Sequence, residues 1–573
     1  MAKIEFSTNP THLPKRPQPR PPPDSYQDEP RNSVDYISQL PDAIILLIFS
    51  FLTTKDTIKT SVLSKRWRST WTANPRIFFS MPSCHNSRMF QSFMTFVDAV
   101  LLRCTAIKVN SFLFDAPFTA LLESNFLAWR LSADALNVLH NETIRYNEMT
   151  RHNKITRYRL APSFRCVYLR SCEEVWLNSA VGPTIDKWLC YATGHNVEEV
   201  LINLLGWRHN IYVLPQFFFC CTTLVSIHVS HCCFPMIGVV YWSSLKRLHI
   251  EDAELKDDTL MSILNGSPVL EFLELKHCLG FKHIESRALR ELVINSHRFH
   301  HGQELVINSH RFHHGQESIL KISAPHLLKL HLLGLIQGRD GEFILDELPS
   351  LVEAELTFNI EIFELDKVKV YGDLVKGLLE RVHRVRRLGI GSWCLQVLSL
   401  MEVSGVFLPS LECRHLMFHV TADYEGVPGI AKILESSPCL EKLLLQMTCT
   451  PSSVTVGHHN FDVEELWISA KQRIYQCLMH VKNVEIIDPG ANWLAWEPVL
   501  SVLKSLLQNA PRLDKIEINS NNSKLSKAID PWVLLEVVQI ILLHSTHSPN
   551  LKVILSYPSQ GCPLKARVSW SSD

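Results

Sequence analysis

Apolar positions along this chain follow two periods. In residues 35–71 the period is helical. The run from Ala43 to Phe49 is apolar on every side of any helix it forms, and such a helix must be covered all round. Leu63, Trp67 and Trp71 stand at i, i+4 and i+8, which predicts one stripe of a second helix. A unit of about 40 residues is too small to bury that much apolar surface alone. The excess belongs either against a partner or against the rest of the chain.

Beyond residue 190 the pattern becomes Leu-x-x-Leu-x-Leu, with Ile or Val allowed. It recurs from Val197, Leu224, Leu245, Leu270, Leu289, Leu327, Leu440 and Leu513. LVSIHVSHC (224–232) and LEFLELKHC (270–278) add a Cys at the end, as leucine-rich repeats do. Proline stands two residues before the first apolar position at Pro268, Pro325, Pro349, Pro409, Pro438, Pro511 and Pro549. Proline drives its predecessor out of the helical region, so it ends a helix and opens an extended segment. ILNGSPVLEFLEL, ILESSPCLEKLLL and LLQNAPRLDKIEI are then three versions of one helix–turn–strand unit. The steps Leu224, Leu245, Leu270, Leu289 are 21, 25 and 19 residues, two inside the ~20–29 of such repeats and one a residue short of it. The pattern predicts a repeat solenoid; the alternative is ordinary α/β crossovers in a closed fold.

One tandem duplication interrupts the array. ELVINSHRFHHGQ occupies 291–303 and again 304–316, so Leu289 to Leu327 spans 38 residues, and 38 − 13 = 25 restores the register. The first copy has Leu289 three residues before Leu292, whereas the second has Gly302 at that place. Glycine packs nothing and weakens a strand. The first copy is therefore expected to take the strand and the second to leave the array.

Composition narrows the function. The chain has 573 residues, with 57 Lys plus Arg against 57 Asp plus Glu. Zero net charge argues against a general binder of nucleic acid or anionic membranes, and no apolar run approaches the ~18 residues of a membrane span. Hydrophobic content is 46%, normal for a packed protein. The opening MAKIEFSTNPTHLPKRPQPRPPP has no apolar core of a secretory signal. Sixteen cysteines without one are expected to be reduced thiols in the nucleus, the cytoplasm or both. There is no Cys-x-x-Cys, so the pairs Cys220-Cys221 and Cys232-Cys233 read as small buried hydrophobes rather than metal ligands. The His-x-x-His-His of the duplicated segment is read as a polar loop, and no metal site is assigned.

Eight of the 30 prolines fall in residues 1–33. That arm is expected to be disordered, a spacer or a ligand of a proline-recognising domain. Residues 115–182 hold the one basic tract, Arg145, Arg151, Lys154, Arg157, Arg159, Arg165 and Arg170 against Glu148. With few aromatic side chains to stack on bases, it reads as a solvated insertion. No phosphate-binding glycine loop, Gly-x-Ser-x-Gly elbow or His-Glu-x-x-His helix occurs, and no acid–base pair can be nominated. No catalytic residue and no cofactor are expected.

Three blocks carry a family resemblance. Asp35-x-Ile37-Ser38-x-Leu40-Pro41-Asp42, then Ile48-Phe49-Ser50-Phe51-Leu52, then Ser61-Val62-Leu63-Ser64-Lys65-Arg66-Trp67-Arg68 resemble a plant F-box. Ala43 departs from it at a position that is usually acidic. Residues 185–202 and 244–278 are similar to the linker and repeats of plant F-box proteins with leucine-rich repeats. Cys477-Leu478 with Val481 to Ile486, Leu503 to Ile516, and Ser548 to Val553 are similar to their C-terminal FBD module, although AKQRIYQ replaces the Trp and Pro that often precede the Cys.

The resemblance implies an α/β architecture: a three-helix F-box, then a leucine-rich-repeat solenoid with a curved parallel sheet and helices on its outer face. The expected division is a Pro-rich arm (1–33), F-box (34–80), linker with the basic insertion (81–184), repeats (185–460), FBD-like module (461–560) and tail (561–573). It also implies a non-catalytic substrate-recognition subunit of an SCF-type cullin–RING ubiquitin ligase. Leu40, Pro41, Ile44, Ile48, Leu52, Val62, Leu63, Ser64 and Trp67 would contact a Skp-type adaptor, and through it cullin and RING subunits. The alternative is a repeat scaffold or ligand sensor without target turnover. Alternate residues of a parallel ladder share one face, so Ser226, His228, Arg247, His249, Glu274, Lys329 and His331 are the expected target-facing residues. No nucleic-acid or membrane partner is expected.

Overall fold

A computed structural model describes residues 2–7, 36–81, 87–116, 182–204, 212–235, 238–295, 319–336, 342–360, 367–402, 407–420, 426–447, 478–487, 503–504, 507–508, 510–519, 537–541, 543, 551–557 and 564–570. They divide into two compact units, 26–281 and 1–25 with 282–573. The basic tract, the His-rich motif and the second duplicate lie outside the described residues. Among the described residues no helix is long and apolar enough to cross a membrane.

The first strand, β1 (Ala2–Ser7), lies within the arm expected to be disordered and belongs to the second unit. It precedes Pro10, the first proline of the arm, and alternates Ile4 and Phe6 with Lys3 and Glu5, a strand period.

The unit spanning 26–281 begins with helices α1 (Asp42–Ser50), α2 (Thr54–Lys59) and α3 (Trp67–Thr70), with 3₁₀ turns at Thr60–Val62 and Trp71–Ala73. The single helix expected to align Leu63, Trp67 and Trp71 is thus broken into turns. A parallel ladder follows at once: β2 (Arg76–Ser80), β3 (Ser111–Asp115), β4 (Glu199–Asn203), then, past the short β5 (Tyr212–Val213), β6 (Ser226–Ser230), and past β7 (Cys232–Cys233), β8 (Arg247–Glu251) and β9 (Phe272–Lys276). The parallel ladder therefore starts inside the expected F-box range and runs through the expected linker into the repeats expected from 185. Two causes hid its first strands. Asn74, buried, stands where the leading apolar residue should be, and aromatic Phe112 and Phe114 replace leucines after Val109. Helices α4 (Ser87–Leu101) and α5 (Gly182–Gly194) cover this end. Phe114 packs on Trp188 at 5.1 Å and Phe79 on Phe96 at 6.1 Å, and the Trp188 indole donates to Asp98 at 2.7 Å. Helix α6 (Asp257–Asn265) returns the chain from β8 to β9.

The second unit repeats the plan. Its ladder is β11 (Glu291–Asn295), β13 (Lys329–Ile336), β15 (Glu353–Ile360), β16 (Arg387–Ile390), β17 (His415–Val420), β18 (Lys442–Met447), β19 (Asn483–Ile487), β20 (Lys515–Asn519) and β21 (Lys552–Tyr557), all parallel. Strand β22 (Leu564–Trp570) then adds antiparallel, and β1 pairs antiparallel with it. The expected tail thus contains a strand, and the FBD-like region continues the ladder. Return segments differ along the unit. Some form a second parallel sheet of β10 (His283–Glu285), β12 (Ile319–Ser323) and β14 (Glu342–Leu345). Others form α7 (Val368–Val382), α8 (Ser392–Glu402) and α9 (Val427–Glu435). The expected helices are present, and around 283–345 strands take their place.

Every predicted lead residue is buried: Val197, Leu224, Leu245, Leu270, Leu289, Leu327, Leu440 and Leu513. Val109, Val385, Cys413 and Val481 take the same place in further repeats. The residue before the turn proline is small and buried at Ser267, Ala324, Ser437 and Ala510. The ten described cysteines are free thiols, and burial pushes those of Cys278 and Cys394 up to about 12.

The first duplicate fills β11, with Leu292 and Ile294 facing inward and Leu289 fully buried behind them. Deleting 304–316 is expected to leave the melting temperature unchanged or raise it; a fall of several degrees would place both copies in the core. Helices α8 and α9 cross so closely that a Cβ on Gly429 would lie 2.1 Å from the Leu395 carbonyl oxygen. Gly429→Ala should cost about 1–3 kcal/mol by overpacking, read as a lower denaturation midpoint.

Candidate functional site

The N-terminal helices carry the largest mismatch between residue type and exposure. Their core is small: Ile45, Phe49 and Trp67, with Leu40, Leu46, Ile48, Leu52 and Trp71 partly buried against it. Phe49 meets Trp67 edge-to-face at 5.5 Å, and the Trp67 indole donates to the Ile37 carbonyl at 3.3 Å. Positions 45 and 49 are four apart and share one face of α1, while Ile44, Leu47 and Phe51 follow the opposite face. That second face is exposed: Ile44 at 42%, Leu47 at 55% and Phe51 at 81%. Tyr36, Ile37, Val62 and Leu63 are exposed as well, Val62 at 87%.

Polar contacts hold this unit in shape. Thr53 caps α2, its hydroxyl accepting the Asp56 amide at 3.1 Å. The hydrogen bond from Lys59, with that from Thr53, holds the Asp56 carboxyl below its ordinary pKa. Arg66 pairs with Asp42 at 2.6 Å. The unit is tied to the ladder where the Phe78 amide donates to the Thr54 hydroxyl at 2.8 Å and the Arg76 guanidinium donates to the Ser50 carbonyl. The apolar face thus sits on a fixed support.

The residues expected to contact an adaptor separate into three groups. Pro41, Ile44, Val62 and Leu63 are exposed. Leu40, Ile48 and Leu52 are half-buried against the core. Ser64 and Trp67 serve the unit itself: the Ser64 hydroxyl accepts the Trp67 amide at 3.3 Å, and Trp67 is buried at 3%. Trp67 is therefore corrected from contact residue to core residue, because its ring is what α1 packs on. Sequence reasoning missed Tyr36, Leu47 and Phe51. The signal was present, since an all-apolar helix with one covered face must expose the other.

The expected target-facing residues lie on the outer rows of the strands but in two units. Ser226, His228, Arg247, His249 and Glu274 belong to one, Lys329 and His331 to the other. Register puts His228, His249 and Glu274 in one row. The two imidazoles stack at 5.3 Å and His249 bonds Glu274 at 2.7 Å. Burial, with His249 beside it, lowers the His228 pKa, and the His249 hydrogen bond lowers that of Glu274. Ser226 is nearly buried and Arg247 exposed. In the other unit Lys329 pairs with Glu291 at 2.9 Å and His331 with Glu355 at 2.8 Å. Burial alone would raise Glu355, but hydrogen bonds from His331 and His419 outweigh it and hold its carboxyl at about 2. Glu251, Asp252 and His277 bring three donor atoms within 4.8 Å of one another, and the Lys276 ammonium already pairs with Glu251 at 2.5 Å.

Comparison with known proteins agrees with this division. Residues 37–79 match the F-box domain model, and residues 185–348 match a model described as the LRR repeats of FBD-associated F-box protein At5g56370. The chain is similar to three Arabidopsis thaliana proteins. It is 26% identical to putative F-box/LRR-repeat protein At3g18150 over 501 residues, 85% of this chain and 87% of that one. It is 28% identical to F-box/LRR-repeat protein At5g02910 over 437 residues, 75% of each. With putative F-box/LRR-repeat protein At5g02930 it shares 24% over 543 residues, 91% and 93% of the two chains.

Core and exposed positions should respond oppositely to substitution. Trp67→Ala should destabilise the helical unit by about 3–5 kcal/mol. Val62→Asp should change stability by no more than about 0.5 kcal/mol. Limited proteolysis of residues 36–75 against denaturant would read both, and equal sensitivity would contradict the assignment.

Proposed function

We propose that this chain, an F-box protein with leucine-rich repeats, is the substrate-recognition subunit of an SCF-type cullin–RING ubiquitin ligase. The observation that carries the reading is the exposed apolar face of α1 with Val62 and Leu63 on the following turn. A helical unit of this size does not keep such a surface in water without a use for it. A Skp-type adaptor is the partner that an F-box implies, and cullin and RING subunits follow through it.

The rest of the chain supplies a parallel ladder in each unit, whose outer rows carry polar and charged side chains. We assign the target to these ladders, including the FBD-like end at 461–560. Residues for chemistry are not required by this reading. Catalysis would consist of proximity, holding the target near the ubiquitin-conjugating enzyme at high effective concentration. The work of such a subunit is done in the nucleus or cytoplasm.

Adaptor binding tests the proposal. The full chain co-expressed with a Skp-type adaptor should co-purify with it. Leu47→Asp combined with Val62→Asp should abolish co-purification, because buried interface anchors often carry about 2 kcal/mol or more each. Both side chains are exposed, so the melting temperature should hold. Undiminished co-purification of the double variant would overturn the reading.

A further inference from the structure

The net charge of the chain is zero, but in the second unit the charge is not spread evenly. Register aligns Arg387, His415, Lys442, Asn483, Lys515 and Lys552 at the N-terminal edge of six neighbouring strands, β16 to β21. One position earlier stand Arg386, Arg414, Glu441, Lys482 and Asp514, each of whose carbonyls accepts amides of the next strand. The last turn of α7 adds Arg381, and the turns leading in add Arg384, Glu412 and Arg512. Together these give ten cations (Arg381, Arg384, Arg386, Arg387, Arg414, Lys442, Lys482, Arg512, Lys515 and Lys552) and three anions, and 10 − 3 = +7.

Part of this charge is compensated from the row behind. Lys442 pairs with Glu485 at 2.7 Å and Lys515 with Glu517 at 2.6 Å. Counting those two carboxylates and Glu353, which pairs with Arg387, leaves 7 − 3 = +4. Glu441 is shared between Arg414 at 3.3 Å and Lys482 at 3.5 Å, and Arg387 reaches back to Glu353. Among the described residues Arg381, Arg384, Arg386, Arg512 and Lys552 make no ion pair, and all five are exposed.

Six strands spaced ~4.8 Å apart extend over about 24 Å, the length of roughly seven residues of extended chain. Unpaired cations near both ends of this line, Arg384 and Arg386 before β16 and Arg512 and Lys552 at β20 and β21, fit a polyanion lying across the strands. Phe, Tyr and Trp are absent from the segments 381–387, 412–415, 441–442, 482–483 and 512–515, so the edge offers no platform on which bases could stack. We propose that this edge docks an extended Asp- and Glu-rich segment of the target protein. The proposal rests on the reading that the ladder selects the target. It also joins the repeats to the FBD-like region, since β19, β20 and β21 supply Lys482, Arg512, Lys515 and Lys552.

The test is fluorescence anisotropy of a labelled oligoglutamate with the full chain bound to its adaptor, alongside a neutral Gly/Ser peptide and a single-stranded oligodeoxynucleotide of equal length. The oligoglutamate should bind, and binding should weaken steeply with added salt, as expected for solvent-exposed charges. Arg384→Glu with Arg386→Glu and Arg512→Glu should weaken it about tenfold or more, because a cation row is replaced by like charge. Arg→Gln at the same positions should give a smaller loss in the same direction and keeps the test if the reversals misfold. Lys246→Glu, an exposed change in the other unit, should leave binding as it was. No oligoglutamate binding, no effect of the Gln variant, or tighter binding of the oligodeoxynucleotide would overturn the proposal. Adaptor co-purification is scored separately: if it holds while peptide binding fails, this inference falls and the ligase reading stands, and the reverse result sinks the ligase reading.

Discussion

A parallel strand has no short way back to its neighbour, and its polar groups need partners on both edges. This constraint shapes both units. At each step one carbonyl just ahead of a strand accepts two successive amides of the next: Val225 from Lys246 and Arg247, Lys246 from Glu271 and Phe272, Arg386 from Arg414 and His415. That shared carbonyl fixes where each strand begins, so the residue three before its first inward side chain always turns into the core. The return path then covers the inward face. Some returns make α6, α7, α8 and α9; those around 283–345 make the β10–β12–β14 sheet.

The N-terminal helices obey an opposite constraint. Nothing in them extends indefinitely, so a few large side chains must do all the packing. Phe49 and Trp67 supply that core, and the remaining apolar residues of α1 have no interior left to enter. The unit keeps its shape through its cap, its Arg66–Asp42 pair and its ties to β2, while the exposed apolar face stays available. Tied to the first strand of the ladder, it brings an exposed apolar face and a polar ladder into one unit.

On the ladder's outer rows, electrostatics follows register rather than sequence distance. Lys329 and Glu291 are 38 residues apart and pair at 2.9 Å; Lys442 and Glu485 are 43 apart and pair at 2.7 Å. Glu355 meets His331 of the adjacent strand at 2.8 Å and His419 at 3.2 Å across a strand that carries Gly389 at the intervening position, where an added Cβ would lie 2.9 Å from the Glu355 side chain. Most outer charges are satisfied in this way. The edge from Arg381 to Lys552 differs because Arg381, Arg384, Arg386, Arg512 and Lys552 make no ion pair among the described residues.

The sequence by itself determined the repeats and their register. The lead residues from Val197 to Leu513, the prolines that open the strands and the subtraction that makes one duplicate superfluous could all be read without coordinates, because they report local periodicity and backbone sterics. The motif of the first helical unit was equally legible. Only the tertiary structure decided which of its apolar residues form the core. Trp67 and Val62 are both large and apolar, and only packing makes one buried and the other exposed. Only the structure, too, carried the ladder back to Arg76, where a buried Asn74 had hidden the pattern. The clustering of cations from different repeats into one edge was also invisible in the sequence. They are about 25–40 residues apart along the chain, and strand register alone makes them neighbours.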